Sequence, residues 1–94
     1  MKNTIIPTNT IEQNRFVTIG DFKTCMRYHG ETEFVWKGIT YSVTHDNGNI
    51  AIFHSRRQDA GMQRKTADEI LEYMAGEDRL RDAITQVTVI ERTI

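Results

Sequence analysis

The sequence predicts an α+β fold: an N-terminal helix, a three-stranded antiparallel meander, two C-terminal helices and a final strand that joins the sheet. Three patterns support this fold class. Two tight-turn dipeptides separate three runs of strand-forming residues, a T-x-x-E capping box follows them, and the β-branched run VTVI lies near the end of the chain. A sheet with its helices on one face would bury all of the apolar stripes together.

Length and charge bound the class of protein. The chain has 94 residues, with 12 Lys and Arg residues against 13 Asp and Glu residues. A chain of this length forms one small domain with a modest core. The balanced charge argues against a protein that coats polyanions, because such proteins carry a strong basic excess. It is compatible with a local basic patch.

The cysteine content and the hydropathy pattern indicate a cellular setting. Cys25 is the only cysteine, so we expect neither an intrachain disulfide nor a thiolate metal cluster. A lone thiol fits a reducing compartment. The chain has no apolar run typical of a signal peptide, and no window approaches the ~18 apolar residues of a membrane span. We therefore expect a cytoplasmic protein that does not bind membranes.

The first residues differ from the rest of the chain. They are polar, with isolated isoleucines and the only proline. We interpret residues 1–14 as a tail or an extended arm, and residues 15–94 as a single α+β domain.

Two structures fit residues 18–29. TIGD at 18–21 resembles a capping box with Asp in place of Glu, Gly30 occupies the position of a helix C′ glycine, and three apolar residues share one helical face. The alternative is a hairpin that turns at the Gly-Asp pair. We prefer the helix because both of its ends carry the residues that begin and end helices.

The next segment predicts the meander. Residues 33–36 and 39–44 are strand-forming runs on either side of a Lys-Gly turn. HDNGN at 45–49 contains Asn-Gly, the dipeptide that best tolerates the positive φ angles of a hairpin turn. Residues 50–53 then form the third strand.

The C-terminal part predicts two helices and a strand. TADE at 66–69 is a full capping box, and an apolar stripe follows at helical spacing, formed by Ala67, Ile70, Leu71 and Met74. Gly76 ends this helix. Residues 77–84 form a short second helix, whose inward residues are Leu80, Ala83 and Ile84. Residues 87–90 are the final strand.

These segments carry a resemblance. GETEFVWKGITYSV, TADEILEYM and LRDAITQVTVIE, in this order within residues 18–92, resemble small uncharacterised proteins of low-GC Gram-positive bacteria and their phages. The resemblance implies a fold and a phage or mobile-element setting, and no activity. The element order is also similar to that of small phage inhibitors of bacterial defence, including some anti-CRISPR proteins. Those inhibitors are typically far more acidic than this chain.

The most unusual segment is SRRQDAGMQRK at 55–65, which has four basic residues and one acid. Connections of this length without regular structure are uncommon and often functional. Arg56, Arg57, Arg64 and Lys65 are therefore candidates for binding a phosphate or an acidic surface, with Met62 as an adaptable apolar contact. The alternative is a solvated loop in which the first two arginines only extend the third strand.

Aromatic residues on the strands are a second set of candidates. Trp36 and Tyr41 are candidate aromatic contacts for a partner, although a domain this small also needs its aromatic residues in the core.

Histidines and the cysteine indicate no dependable chemistry. His45 and His54 flank the Asn-Gly turn and would approach one another across the hairpin, but their spacing is not that of a metal site. Cys25 with His29 is more typical of a buried thiol than of a catalytic pair. We expect no catalytic residue, no cofactor and no metal ion.

Together these features predict a small non-enzymatic binding protein of phage or mobile-element type. We expect it to recognise, and to inhibit, a host protein or complex such as a CRISPR–Cas defence system. The alternative is a nucleic-acid or nucleotide-binding module that uses residues 56–65. A homodimer is also compatible with the sequence, through an edge strand at 87–90 or 33–36.

Overall fold

The computed structural model describes residues 14–55 and 57–93. Within these ranges the fold contains three helices and seven strands in mixed order. The helices are α1 (Ile19–Arg27), α2 (Ala67–Ile70) and α3 (Leu80–Ala83). The strands are β1 (Thr32–Trp36), β2 (Ile39–Asp46), β3 (Asn49–His54), β4 (Arg57–Arg64), β5 (Met74–Ala75), β6 (Asp78–Arg79) and β7 (Thr88–Arg92). The α+β fold class is therefore confirmed.

Five of the strands form one antiparallel sheet in the order β4-β3-β2-β1-β7. The predicted meander is β1-β2-β3, and the predicted final strand, β7, pairs with β1. β5 and β6 form a separate two-stranded hairpin. Because β1 lies between β2 and β7, the prediction that residues 33–36 form a free edge is wrong. The predicted final strand, β7, does lie at an edge of the sheet.

Both turns of the meander adopt the predicted geometry. Lys37 and Gly38 have φ angles of 51° and 80°, and Asn47 and Gly48 have φ angles of 51° and 82°. Two successive positive φ angles match the twist of the flanking strands. The Asn-Gly pair is thus used as the sequence indicates.

The fourth sheet strand corrects the interpretation of the basic segment. Residues 55–65 are not a connection without regular structure, because β4 pairs with β3 over most of their length. Gln, Asp and Gly are poor strand formers, so the local sequence predicts a loop. Pairing with the apolar strand β3 overrides that local preference.

Residues 18–29 form the preferred helix and not the hairpin. The hydroxyl of Thr18 accepts a hydrogen bond from the Asp21 backbone N–H at 3.0 Å. At the other end, the N–H of Gly30 donates to the Cys25 carbonyl at 2.8 Å, and His29 adopts a φ angle of 60°. This is a Schellman ending in which histidine, one residue before the predicted glycine, takes the left-handed position.

The helix predicted after the capping box is much shorter than its apolar stripe indicates. Both hydrogen bonds of the box are present, but α2 has only four residues. The backbone N–H groups of Leu80 and Arg81 donate to the carbonyls of Tyr73 and Leu71 at 2.7 and 2.9 Å. These long-range bonds turn the chain back on itself. Met74 is consequently 51% exposed, and the helical stripe does not extend to it.

The hairpin β5–β6 replaces the end of the first predicted C-terminal helix and the start of the second. Gly76 has a φ angle of 73° and lies in its turn, where the sequence predicts a helix end. The second helix is reduced to α3. Its predicted inward residues Leu80, Ala83 and Ile84 are all buried.

The core lies between the helices and one face of the sheet. Alternate strand residues point toward it, namely Phe34, Tyr41, Val43, Ile50, Ile52 and Val89. The helical segments contribute Phe22, Cys25, Ile70, Leu71, Leu80 and Ile84 to the same cluster. Residues of this kind bury the apolar surface that stabilises a small domain.

A partly buried ion pair joins the first helix to the last strand. Arg92 Nη2 lies 2.7 Å from Asp21 Oδ1, and Arg92 Nη1 donates to the Asn14 carbonyl at 3.1 Å. The guanidinium lies 4.4 Å from the centre of the Phe16 ring. The hydrogen bond from Arg92 holds the pKa of Asp21 below its ordinary value. The pair therefore stabilises the folded state.

Substitution Asp21→Asn should lower the free energy of unfolding by about 2 kcal/mol, the usual size of a charged hydrogen bond. Urea unfolding at neutral pH measures this change. Asp68→Asn is the matched control, because the ion pair of Asp68 with Lys23 is exposed. The control should change stability by less than about 0.5 kcal/mol. Equal effects of the two substitutions would contradict the role given to Asp21.

The same pair predicts a pH dependence. A carboxyl whose folded pKa is lowered contributes stability above its unfolded pKa, and loses that contribution as pH falls through the folded value. Stability of the native chain should therefore decline as pH drops below about 4. The free energy of unfolding of the Asp21→Asn variant should decline less over the same pH range. Urea unfolding at a series of pH values measures both curves.

Gly61 is required by the pairing of β4 with β3. A Cβ at this position would lie 2.7 Å from the Ile52 carbonyl oxygen and 2.9 Å from Phe53 Cβ. Gly61→Ala should therefore destabilise the fold by about 1–3 kcal/mol. A Cβ at position 20 would have Thr18 Oγ1 as its nearest neighbour, at 3.6 Å. Gly20→Ala should therefore stabilise α1 by about 0.5 kcal/mol. A neutral Gly61→Ala variant, measured by thermal unfolding, would show that β4 does not pair as described.

Candidate functional site

The structure describes only part of the predicted basic segment. Arg56 lies outside the described residues, and so does the side chain of Arg57. Arg64 and Lys65 are exposed at the C-terminal end of β4, whereas Met62 is half-buried. The segment is thus an edge strand whose described end is basic.

Lys65 lines a groove together with Lys23 and Arg27, two cations that the sequence does not indicate as site residues. The end of α1, the β2–β3 turn and the connection from β4 to α2 enclose about 410 Å³. We call this space the basic groove. Its charged and titratable lining residues are Lys23, Arg27, His29, His45, Lys65 and Asp68, and Met26, Ile50 and Ala67 form its apolar part.

Most of the positive charge at the basic groove is uncompensated. Lys23 pairs with Asp68 at 3.0 Å. Among the described residues, no carboxylate pairs with Arg27 or Lys65. Arg64 precedes Lys65 but does not line the groove; it too has no carboxylate partner among the described residues, and its Nη1 donates to the Gln63 carbonyl at 2.6 Å. The groove therefore attracts anionic groups.

Two histidine rings stand together in the basic groove. The ring centroids of His29 and His45 are 5.1 Å apart. His45 Nε2 lies 3.0 Å from the Gly30 carbonyl oxygen, which accepts, so this nitrogen carries the proton. The left-handed backbone at position 29 brings its ring to this place.

The predicted approach of His45 to His54 is wrong. His45 lies opposite Ile50 and His54 lies opposite Tyr41, so the two histidines are near different ends of the hairpin. Among residues 14–55 and 57–93, no group of three or more His, Cys, Asp or Glu side chains is placed to hold a metal ion.

The thiol of Cys25 is fully buried, and burial raises its pKa. A reactive cysteine requires the opposite shift, toward the thiolate. Its surroundings are those of a core residue.

A second space lies at the other end of α2. About 540 Å³ is enclosed between the sheet, β4 and the β5–β6 hairpin. We call it the aromatic cavity. Its lining residues include Ile39, Tyr41, His54, Met62, Tyr73 and Met74. The rings of Tyr41 and Tyr73 meet edge to face at a centroid distance of 6.1 Å.

The two predicted aromatic contacts, Trp36 and Tyr41, do not form an exposed face. Tyr41 is only 3% exposed and belongs to the core. Trp36 is half-buried, and its Nε1 donates to Asp78 Oδ2 at 3.0 Å. Lys37 reaches the same carboxylate at 2.8 Å. These bonds tie the β1–β2 turn to β6 and lower the pKa of Asp78. Trp36 therefore has a structural partner.

One signal in the sequence points to the missed residues of the basic groove. Lys23 and Arg27 are spaced i, i+4, so they share one face of α1. Their meeting with Lys65 depends on the packing of α1 beside α2. That long-range contact has no signature in the local sequence.

Comparison with protein-family models, curated proteins and solved structures found no match for this chain. None of the helices within the described ranges is long and apolar enough to cross a membrane.

The aromatic cavity predicts late ionisation of two phenols. Burial raises the pKa of both Tyr41 and Tyr73. The folded state favours the neutral phenols, so their contribution to stability is fully present below the unfolded pKa of about 10 and is lost as pH rises through the folded values. Phenolate absorbance, followed with urea unfolding, measures both effects.

Variants identify the two phenols. Tyr41→Phe and Tyr73→Phe should each reduce the amplitude of the late ionisation step. Tyr28→Phe should leave that step unchanged, because Tyr28 is 64% exposed. A late step that is unaffected by both buried substitutions would contradict their placement.

Proposed function

We propose that this chain is a small non-enzymatic binding protein that recognises an acidic surface of a partner protein through the basic groove. The observation that supports this most directly is that Arg27 and Lys65 line one groove and have no carboxylate partner among the described residues. Charged groups kept free in this way steer and orient an oppositely charged partner.

The apolar part of the basic groove is small. Met26 and Ile50 are almost fully buried, and Ala67 is half-buried beside them, so these residues leave little apolar surface for a partner. We propose that a partner protein is held mainly by its acids, which pair with the cations of the groove.

The biological setting rests on the sequence resemblance. We propose that the partner is a host protein or complex met by a phage or mobile element in the cytoplasm, and that binding inhibits it. A defence system such as CRISPR–Cas is one such host complex. The buried free thiol of Cys25 is compatible with a reducing compartment.

A nucleic-acid or nucleotide ligand is the second candidate. It is favoured by the imidazole rings of His29 and His45, which stand 5.1 Å apart near the same cations. Flat rings beside basic side chains are able to stack a base while the cations contact its phosphate.

Removing two groove cations tests the proposal. The double variant Arg27→Ala, Lys65→Ala should weaken capture of the partner from a host lysate by roughly tenfold, since about 1.4 kcal/mol of attraction is lost. The control is Lys37→Ala, Arg79→Ala, which removes the same number of charges away from the groove, at two exposed cations that pair with Asp78 and Glu72. Both double variants should keep the melting temperature within a few degrees. Equal capture by the two would remove the groove from the proposal.

Ionic strength separates the two candidate ligands. Affinity for a fluorescent single-stranded oligonucleotide that falls steeply with salt, and is lost in the groove variant, would favour phosphate recognition. The proposal of a protein partner expects no oligonucleotide binding even at low salt. It also expects capture that weakens only moderately as salt is raised.

A further inference from the structure

The outer edge of β4 is one border of the five-stranded sheet, and no strand among the described residues pairs with it. An edge strand presents unpaired backbone N–H and C=O groups, and an extended segment of another chain is able to add to it. A register shift between Ile52 and His54 interrupts the pairing of the first part of β4. The regular part of the edge is therefore residues 62–64.

Two described side chains of this regular part point to the same face of the sheet. Met62 lies opposite Ile52, and Arg64 lies opposite Ile50. Both partners on β3 are buried in the core, so Met62 and Arg64 lie on the inner face. Two residues along a strand span roughly 7 Å.

These two positions lead to the two spaces described above. Met62 lines the aromatic cavity. Arg64 lies opposite Ile50, which lines the basic groove, and is followed by Lys65 of the same groove. One edge therefore offers an apolar site and a cationic site at the spacing of alternate residues in a strand.

We infer that residues 62–64 are a docking edge for an extended segment of the partner protein. A bulky apolar side chain of that segment enters the aromatic cavity beside Met62. An acidic side chain two residues away pairs with Arg64. This inference rests on the proposed protein partner and names the chemistry of the segment that is recognised.

Charge and shape both favour this occupant. Arg64 is exposed and has no carboxylate partner among the described residues, so an acid opposite it gains an ion pair without breaking one. Glu72, at the rim of the cavity, is already paired with Arg81 at 2.9 Å. The rest of the cavity is lined largely by tyrosine, isoleucine and methionine, and the flexible side chains of Met62 and Met74 are able to adapt to a large apolar group.

A displayed library of random nine-residue peptides, selected on the intact chain, tests this inference. The expected consensus has a bulky apolar residue and an acidic residue separated by one position. Selection on Arg64→Glu should replace the acidic residue by a basic one and keep the apolar residue. Selection on Met62→Trp, which fills the cavity, should lose the apolar preference and keep the acid.

Melting temperatures of both variants confirm that they fold. A representative peptide should also lose at least tenfold in affinity when the backbone nitrogens of its core are methylated, since strand addition depends on them. A consensus without the alternation, an unchanged consensus on Arg64→Glu, or a failure to select any peptide would overturn the inference. In those cases Arg64 only keeps the edge from pairing. Loss of partner capture in the Arg27, Lys65 variant would then still support the proposed function.

Discussion

The ion pair between Asp21 and Arg92 fixes the relation of the first helix to the sheet. Its two residues are 71 positions apart in the chain, and the guanidinium also contacts the Asn14 carbonyl and the Phe16 ring. One side chain thus joins the segment before α1, α1 itself and the last strand. The position of α1 sets where its basic face lies, so the basic groove depends on a contact at the opposite end of the sequence.

The short helix α2 depends on the residues around it. A four-residue helix has no stability of its own in water. It is held by its capping box, by the burial of Ile70 and Leu71, and by bonds from the chain that follows. The basic groove lies at its start and the aromatic cavity at its end. Both spaces therefore exist only in the completed fold, and one strand edge passes along both.

Sequence signals that act within a few residues predict the structure correctly. The cap at Thr18, the Asn47-Gly48 turn and the Thr66 capping box all form as their residue types indicate. The sequence predictions fail where long-range pairing decides the outcome. β4 is a strand because β3 is beside it, and Met74 leaves its helix because the chain turns back. Lys65 is predictable because it belongs to a basic run in the sequence. Lys23 and Arg27 are not, because only the packing of α1 beside α2 brings them to the groove.

His29 couples the end of α1 to the basic groove. Its left-handed backbone, at a φ angle of 60°, suits glycine better than any residue with a Cβ, and the difference is about 1 kcal/mol. Glycine at this position would end the helix at least as well, but it would remove one of the two imidazole rings that line the groove. The residue that ends α1 therefore also shapes the wall of the groove.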